Sequence, residues 1–189
     1  MPIPIPSSPA GFSTGEINAD LHIDIFLDIQ CPFSKKAWPI VLKVRELYPD
    51  NAYFTFYPMT LPNHRQSWDA TKAAVAFSQN NTEAFIQFFN YLYKHQNQLQ
   101  NDVFEKRTQV ELYELLAQFA SDCGDRQPED FIKKIKSEEI YQATKIPLRI
   151  AYSRGVWSTP TFFINEAEVT ELSSSSSVED WQKILNGLL

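Results

Sequence analysis

Apolar and polar residues alternate from Leu21 to Asp28. Leu21, Ile23, Ile25 and Leu27 fall on one side and His22, Asp24, Phe26 and Asp28 on the other. A period of two predicts a strand with one strongly apolar face. Beyond Ile29-Gln30-Cys31-Pro32-Phe33-Ser34 the period changes. Ala37, Val41, Val44 and Leu47 or Tyr48 recur at helical spacing, predicting a helix over about 34–48. Pro39 lies early in it, where a missing N–H and a crowded carbonyl favour a kink. Pro49-Asp50-Asn51 closes the segment, and aromatic-rich 52–57 reads as a second strand. Strand, helix, strand implies parallel strands joined by a right-handed crossover.

From about residue 66 to 152 the pattern is helical almost throughout. Trp68, Ala73, Val75, Ala76 and Phe77 form one stripe, Phe85, Phe88, Phe89 and Leu92 a second, and Leu112, Leu115, Leu116 and Phe119 a third. Asn81-Thr82-Glu83 and Gln127-Pro128-Glu129-Asp130 read as helix starts, and Gly124 as a stop. Strand signals return at 161–165 and 167–172, with Asn165-Glu166 as a hairpin turn lacking the usual Gly. After the serine run 173–177, Ser176 with Glu179 fits a capping box and predicts a last helix over 178–188. Residues 1–20, proline-rich and aperiodic, read as an extended lead-in lying on the surface or partly disordered. The expected organisation is an α/β mixed sheet drawn from 21–62 and 153–189, preceded by the extended segment 1–20 and interrupted by a helical insertion at 63–152.

A chain of 189 residues fits one domain. Its net charge of −6 argues against a nucleic-acid partner, since an acidic surface repels phosphates. The densest basic cluster, Lys133, Lys134 and Lys136, reads as the solvated face of a helix. No apolar run approaches the ~20 residues of a membrane span. The start, Met1-Pro2-Ile3-Pro4-Ile5-Pro6, has neither the cationic end nor the apolar core of a secretory signal. Two cysteines make no disulfide scaffold, so a reducing, cytoplasmic setting is expected. The Asn80-Asn81-Thr82 sequon would then be without meaning. No spaced His, Cys and carboxylate cluster predicts a metal, and the five glycines are not placed as a phosphate loop.

The chemistry gathers at Cys31. It lies between a strand and a helix, with Pro32 suited to the first helical position. The unpaired N–H groups of a helix start, with the helix dipole, favour a thiolate there; a Cys used only for packing is the plainer alternative. Asp28-Ile29-Gln30-Cys31-Pro32-Phe33-Ser34 resembles the active-site segment of the DsbA-like branch of thioredoxin-fold proteins. Pro39 falls where that fold often has its helix-kinking proline. Gly155-Val156-Trp157-Ser158-Thr159-Pro160-Thr161-Phe162-Phe163-Ile164-Asn165 resembles the branch's cis-proline segment. The resemblance covers about 21–188 and implies a thioredoxin-like mixed sheet with a helical insertion domain. It implies also that Thr159-Pro160 faces Cys31, and that the Thr159 backbone pairs with an extended substrate or glutathione. Pro32 and Phe33 would complete the substrate-binding set.

One departure matters most. The branch's redox enzymes carry Cys at both ends of the four-residue motif, and here the second is Ser34. A mixed disulfide on Cys31 must then be resolved by an outside thiol such as glutathione, or by Cys123, which reads as buried and inert. His64 is placed to serve as a base but reads more simply as a surface or capping residue; His22 and His95 read as structural. Three functions remain open. The first is an intracellular monothiol oxidoreductase or disulfide isomerase, with Cys31 as nucleophile, Ser34 donating a hydrogen bond to its sulfur and Thr159-Pro160 as clamp. The second is a glutathione-dependent transferase or isomerase of the kappa type, in which the helix start holds the glutathione thiolate. The third is a binding module without chemistry. No tightly bound cofactor is expected. The expected partners are thiol or disulfide substrates, peptide or glutathione, with no nucleic acid and no membrane.

Overall fold

The computed structural model describes residues 5–6 and 10–189. The elements are β1 (Phe12–Gly15), β2 (Leu21–Leu27), α1 (Pro32–Leu47), β3 (Ala52–Pro58), α2 (Ser67–Ser78), α3 (Thr82–Lys94), a 3-10 turn (Gln96–Leu99), α4 (Gln109–Gly124), α5 (Pro128–Ile135), α6 (Glu138–Ser153), β4 (Thr161–Ile164), β5 (Ala167–Glu168) and α7 (Val178–Leu185). The five strands form one sheet in the order β1-β3-β2-β4-β5. β2 and β3 run parallel, and every other pair is antiparallel.

The sheet is covered on one face and partly covered on the other, and this decides how the strand pattern reads. Ile23, Ile25, Phe54, Phe56, Phe162 and Ile164 point into the main core, which runs without a break into α1, the insertion helices and α7. The opposite face is half covered. There Phe26, Tyr57 and Phe163 pack with Met59, Ala151 and Val156 under α6. Phe26, which the alternation assigns to the polar side of β2, is therefore fully buried. The helices of the insertion do not close a core of their own. α2 lies at their centre, packed by α3, α4, α5 and α6. Its run of Ala70, Ala73, Ala74 and Ala76, all buried, lets the neighbouring backbones approach closely. Lys72 and Asp69 are buried on it as an ion pair of 2.7 Å, joined by the Tyr113 hydroxyl. Among the described residues no helix is long and apolar enough to cross a membrane.

Several expectations are corrected. The segment 1–20 is not merely a lead-in: it contains β1, which pairs with β3 over Phe12↔Phe56 to Gly15↔Tyr53. Residues 1–4 and 7–9 of it lie outside the described residues. Phe12 is buried and stacks on Phe85 with centroids 4.0 Å apart. A four-residue strand with one apolar anchor is too short to show a period. Gly15 belongs there because its φ is +101° and a Cβ would meet the Ala52 carbonyl oxygen at 2.2 Å. The strand expected over 167–172 stops at Glu168, since β5 is an exposed edge with no buried face to extend it. The hairpin before it does turn at Asn165 and Glu166, with φ of 48° and 69°. Asn165 supplies what Gly lacks: its side chain accepts from His22 N at 2.8 Å and donates to Asp20 O at 3.0 Å. α1 begins two residues earlier than its apolar spacing predicts, because Pro32 takes the first position. The last capping box is Ser177 with Asp180, one residue later than expected. That register puts Val178, Trp181 and Leu185 on the buried face, and Ser176 caps the Ser173 N–H instead.

The burial of β1 is testable. Phe12→Ala should cost about 3 kcal/mol in urea unfolding, the usual loss for a buried Phe. A loose lead-in would lose no more than about 0.5 kcal/mol.

Candidate functional site

Cys31 is the N-cap residue of α1, in extended conformation, with Pro32 following at the first position. Its N–H donates to Asp28 O at 3.1 Å and its carbonyl accepts from Lys35 N at 3.1 Å, which starts the helix. At such a position a Ser or Asp oxygen would accept from the free N–H groups. The sulfur makes no such cap. Instead the thiol donates to Thr159 O at 3.2 Å, a contact between residues 128 apart in sequence. The Thr159–Pro160 bond is cis. β2 and β4, paired antiparallel over Ile23↔Ile164 to Phe26↔Thr161, bring these two ends together.

Cys31 is only 3% exposed. Pro32 and Phe33 beside it are exposed, Pro160 is half-buried and Thr159 is buried. Thr159 Oγ1 has no hydrogen-bond partner among the described residues. Ser34, also fully buried, does not serve the sulfur as expected. Its hydroxyl accepts from Asp28 N at 3.3 Å, and no bond to Cys31 Sγ is formed among the described residues. One helical turn into α1, Ser34 is aimed back at the end of β2 rather than out along the motif. Tyr93 donates to Asp28 O at 3.3 Å. Burial, aided by the nearby Asp28 and Cys31, pushes its hydroxyl well above 10, so it stays a donor.

Under the motif lies a polar layer that sequence reasoning misses. The Asp28 carboxylate has no exposed surface. Its Oδ1 accepts from Gln30 N and from Ser67 Oγ, both at 2.8 Å, and its Oδ2 from Leu61 N at 2.6 Å. His64 Nδ1 stands 3.0 Å from Oδ2, close enough to pair when protonated but out of line for a hydrogen bond. His64 is thus turned inward toward Asp28, with its side chain 13% exposed, rather than lying on the surface. Gln96 Nε2 donates to Ile29 O at 2.7 Å and to Cys31 O at 3.0 Å. Gln30 Nε2 donates to Leu99 O and Gln66 Oε1, and Gln30 Oε1 accepts from Gln66 N at 2.6 Å.

The loop from Gly155 to Pro160 is held from its start. Arg154 pairs with Asp24 of β2 and lies over the Phe163 ring. Burial and the Asp24 charge push the neighbouring Tyr57 hydroxyl up to about 12. Cys123 sits on α4, half-buried rather than fully buried, with its sulfur 3.9 Å from Gln87 O. Burial raises its thiol above the ordinary value. Both thiols are free. Among the described residues no group of three or more His, Cys, Asp or Glu could hold a metal.

The sequence profile of the thioredoxin family matches residues 7–187. No curated protein sequence matches the chain. Solved structures do. A candidate protein-disulfide isomerase from Pseudomonas syringae is 18% identical, with a TM-score of 0.78 over 93% of this chain and 97% of that one. Oxidised BdbD from Bacillus subtilis is 16% identical, with a TM-score of 0.73 over 94% and 92%. DsbA from Chlamydia trachomatis is 14% identical, with a TM-score of 0.72 over 97% and 93%. At these identities the likeness is one of fold, the thioredoxin-like sheet with the DsbA-type helical insertion.

Two outcomes follow from the site. Asp28→Ala strands three donors, two of them buried, and should lower stability by about 3 kcal/mol in chemical denaturation, whereas Ser67→Ala should cost about 1 kcal/mol. Because its thiol is raised, Cys123 should alkylate slowly at neutral pH. Its rate by mass mapping should still be rising with pH where that of an ordinary exposed thiol has levelled off.

Proposed function

The chain belongs to the thioredoxin family, and from that premise we propose that it is a thiol-disulfide oxidoreductase or disulfide isomerase working through Cys31 alone. The observation that carries this reading is the Cys31 sulfur at a helix start, 3.2 Å from the backbone of Thr159, with a hydroxyl and not a second sulfur at position 34. Thiol-disulfide exchange needs an attacking thiolate, an access path and a leaving thiol. The Cys31 thiolate attacks one sulfur of a disulfide, forms a mixed disulfide and releases the other sulfur as a thiolate. A second thiolate from outside, glutathione being the natural candidate, then attacks that mixed disulfide on the substrate sulfur. Cys31 is restored as a thiolate and a new disulfide leaves. Electrons balance with no cofactor.

The local geometry supports both steps. Deprotonation of Cys31 removes the bond to Thr159 O, which frees that carbonyl for the N–H of an extended substrate. Thr159 Oγ1, buried and without a partner, offers a further polar contact at the same place. Ser34 cannot attack the mixed disulfide, so the adduct persists until a thiol arrives. Burial holds the Cys123 thiol in its protonated form near neutral pH, which makes it a poor resolving group.

The test is an adduct and its release. Incubated with glutathione disulfide, the protein should gain one glutathione at Cys31, and Cys31→Ser should gain none there. Ser34→Cys places a second sulfur one helical turn from the first, and once its side chain turns from Asp28 N toward Cys31 the four-residue spacing suits the roughly 4.4–6.8 Å between Cα atoms that a disulfide needs. That variant should form an internal disulfide and catalyse insulin reduction at least about tenfold faster than the natural protein. A Cys31 that takes up no glutathione, together with a Ser34→Cys variant that stays inactive, would count against the exchange reading.

A further inference from the structure

The outer face of α6 runs into the loop that carries Thr159. Lys145, Leu148, Arg149 and Tyr152 line an open depression of about 540 Å³. Tyr152 stacks against Trp157, with centroids 6.5 Å apart and planes 28° from parallel. Trp157 is 80% exposed and Tyr152 46%. Trp157 precedes Thr159 by two residues, so the aromatic pair lies on the loop that leads to the backbone contact with Cys31. Leu148 packs inward on the cluster beneath α6, which fixes the floor. Exposed rings set side by side over a rigid floor mark a surface that is covered in use.

The charges say what covers it. The chain carries −6 overall, yet this face presents Lys145 and Arg149. Among the described residues neither makes an ion pair with a carboxylate. Lys145 instead rests on the Tyr141 ring at 4.1 Å. Arg154, nearer the loop, is neutralised by Asp24 and adds nothing. Glutathione brings no apolar side chain to set against the rings, whereas a peptide does. Residues 145 to 152 span roughly 10 Å along the helix at 1.5 Å per residue, about the length of three extended peptide residues.

We propose that this face receives the flank of a peptide substrate, and that it selects peptides with an aromatic or large aliphatic side chain followed by acidic residues. The inference rests on the reading of Cys31 as the exchange site and names its substrate class. The apolar side chain lies against Trp157 and Tyr152, over Leu148. The acidic side chains meet Arg149 and Lys145. Rim charges of this kind select partners and speed encounter more than they add affinity.

Binding can be read apart from chemistry. Fluorescent seven-residue peptides with Ser in place of the reacting Cys would carry Trp-Glu-Glu, Trp-Gln-Gln or Trp-Lys-Lys, placed in turn before and after the Ser. The acidic peptide in one of the two placements should bind about three- to tenfold more tightly than its glutamine counterpart, and more tightly still than the lysine one. Raising the salt to 0.5 M should shrink that ratio. The double variant Lys145→Glu, Arg149→Glu, which alters only side chains on the outer face of α6, should reverse the order. Trp157→Ala should weaken all three peptides alike. Equal affinities, a preference that survives the charge reversal, or no binding by any peptide overturns the proposal. The same peptides with an activated cysteine disulfide separate the two readings. Selective binding without exchange at Cys31 defeats the exchange reading alone. Exchange at equal rates with all three peptides defeats the selection.

Discussion

Asp28 follows β2 directly, and its carboxylate is held entirely out of water. An isolated buried charge costs several kcal/mol, so the chain around it must supply donors. It does so from three separate stretches. Gln30 N comes from the turn between β2 and α1, Leu61 N from the connection after β3, and Ser67 Oγ from the first residue of α2. His64 adds a second charge of opposite sign when protonated. One side chain thus ties the motif that presents Cys31 to the strand that precedes it and to the insertion that follows β3. The turn cannot shift without stranding a donor, and α2 cannot slide without exposing the acid.

The same logic extends outward from that carboxylate. Buried carbonyls in the turn between β2 and α1 must be paired. Gln96 takes that of Ile29 and adds a second bond to that of Cys31, which already accepts from Lys35 N, while Gln30 reaches back to Leu99 and Gln66. Two segments of the insertion, around residue 66 and over 96–101, therefore act as the floor of the site. Ser34 belongs to this layer rather than to the sulfur above it. In a fully buried slot facing the Asp28 N–H, a hydroxyl satisfies a donor that a thiol would satisfy less well. The serine is consistent with a site that keeps its geometry while giving up internal resolution of a disulfide.

How far the sequence discloses this depends on whether the signal is periodic. β2 alternates over seven residues, and the crossover to β3 follows from strand, helix and strand in order. The thioredoxin-like arrangement and the pairing of Cys31 with Thr159-Pro160 rest on two motifs whose meeting in space only the fold can bring about. Phe26 and Phe12 were hidden for opposite reasons. The first sits on the nominally polar side of its strand and is buried because α6 covers that half of the sheet. The second is the single anchor of a four-residue strand. The capping box slipped by one because Ser176 and Ser177 both have an acid three residues on, and only the burial of Trp181 chooses between them. The donor role expected of Ser34 failed because it needs the direction of one side chain, which spacing does not carry. Gln96 and Gln30 are polar residues that packing turned into structure, and nothing local announces that.

The insertion therefore has two tasks that its separate faces perform. Its inner edge, through Gln96, Gln66 and Ser67, fixes the backbone beneath Cys31. Its last helix, α6, covers the second face of the sheet with Ala151 and then delivers Arg154 to Asp24. That ion pair anchors the start of the loop leading to Thr159, so the loop is held from β2 and from α6 at once. The outward side of the same helix is free to differ without disturbing either contact, because Arg149 and Tyr152 point away from both. Exposed residues on that side of the helix can change while the buried acid and its donors keep the sulfur where it is.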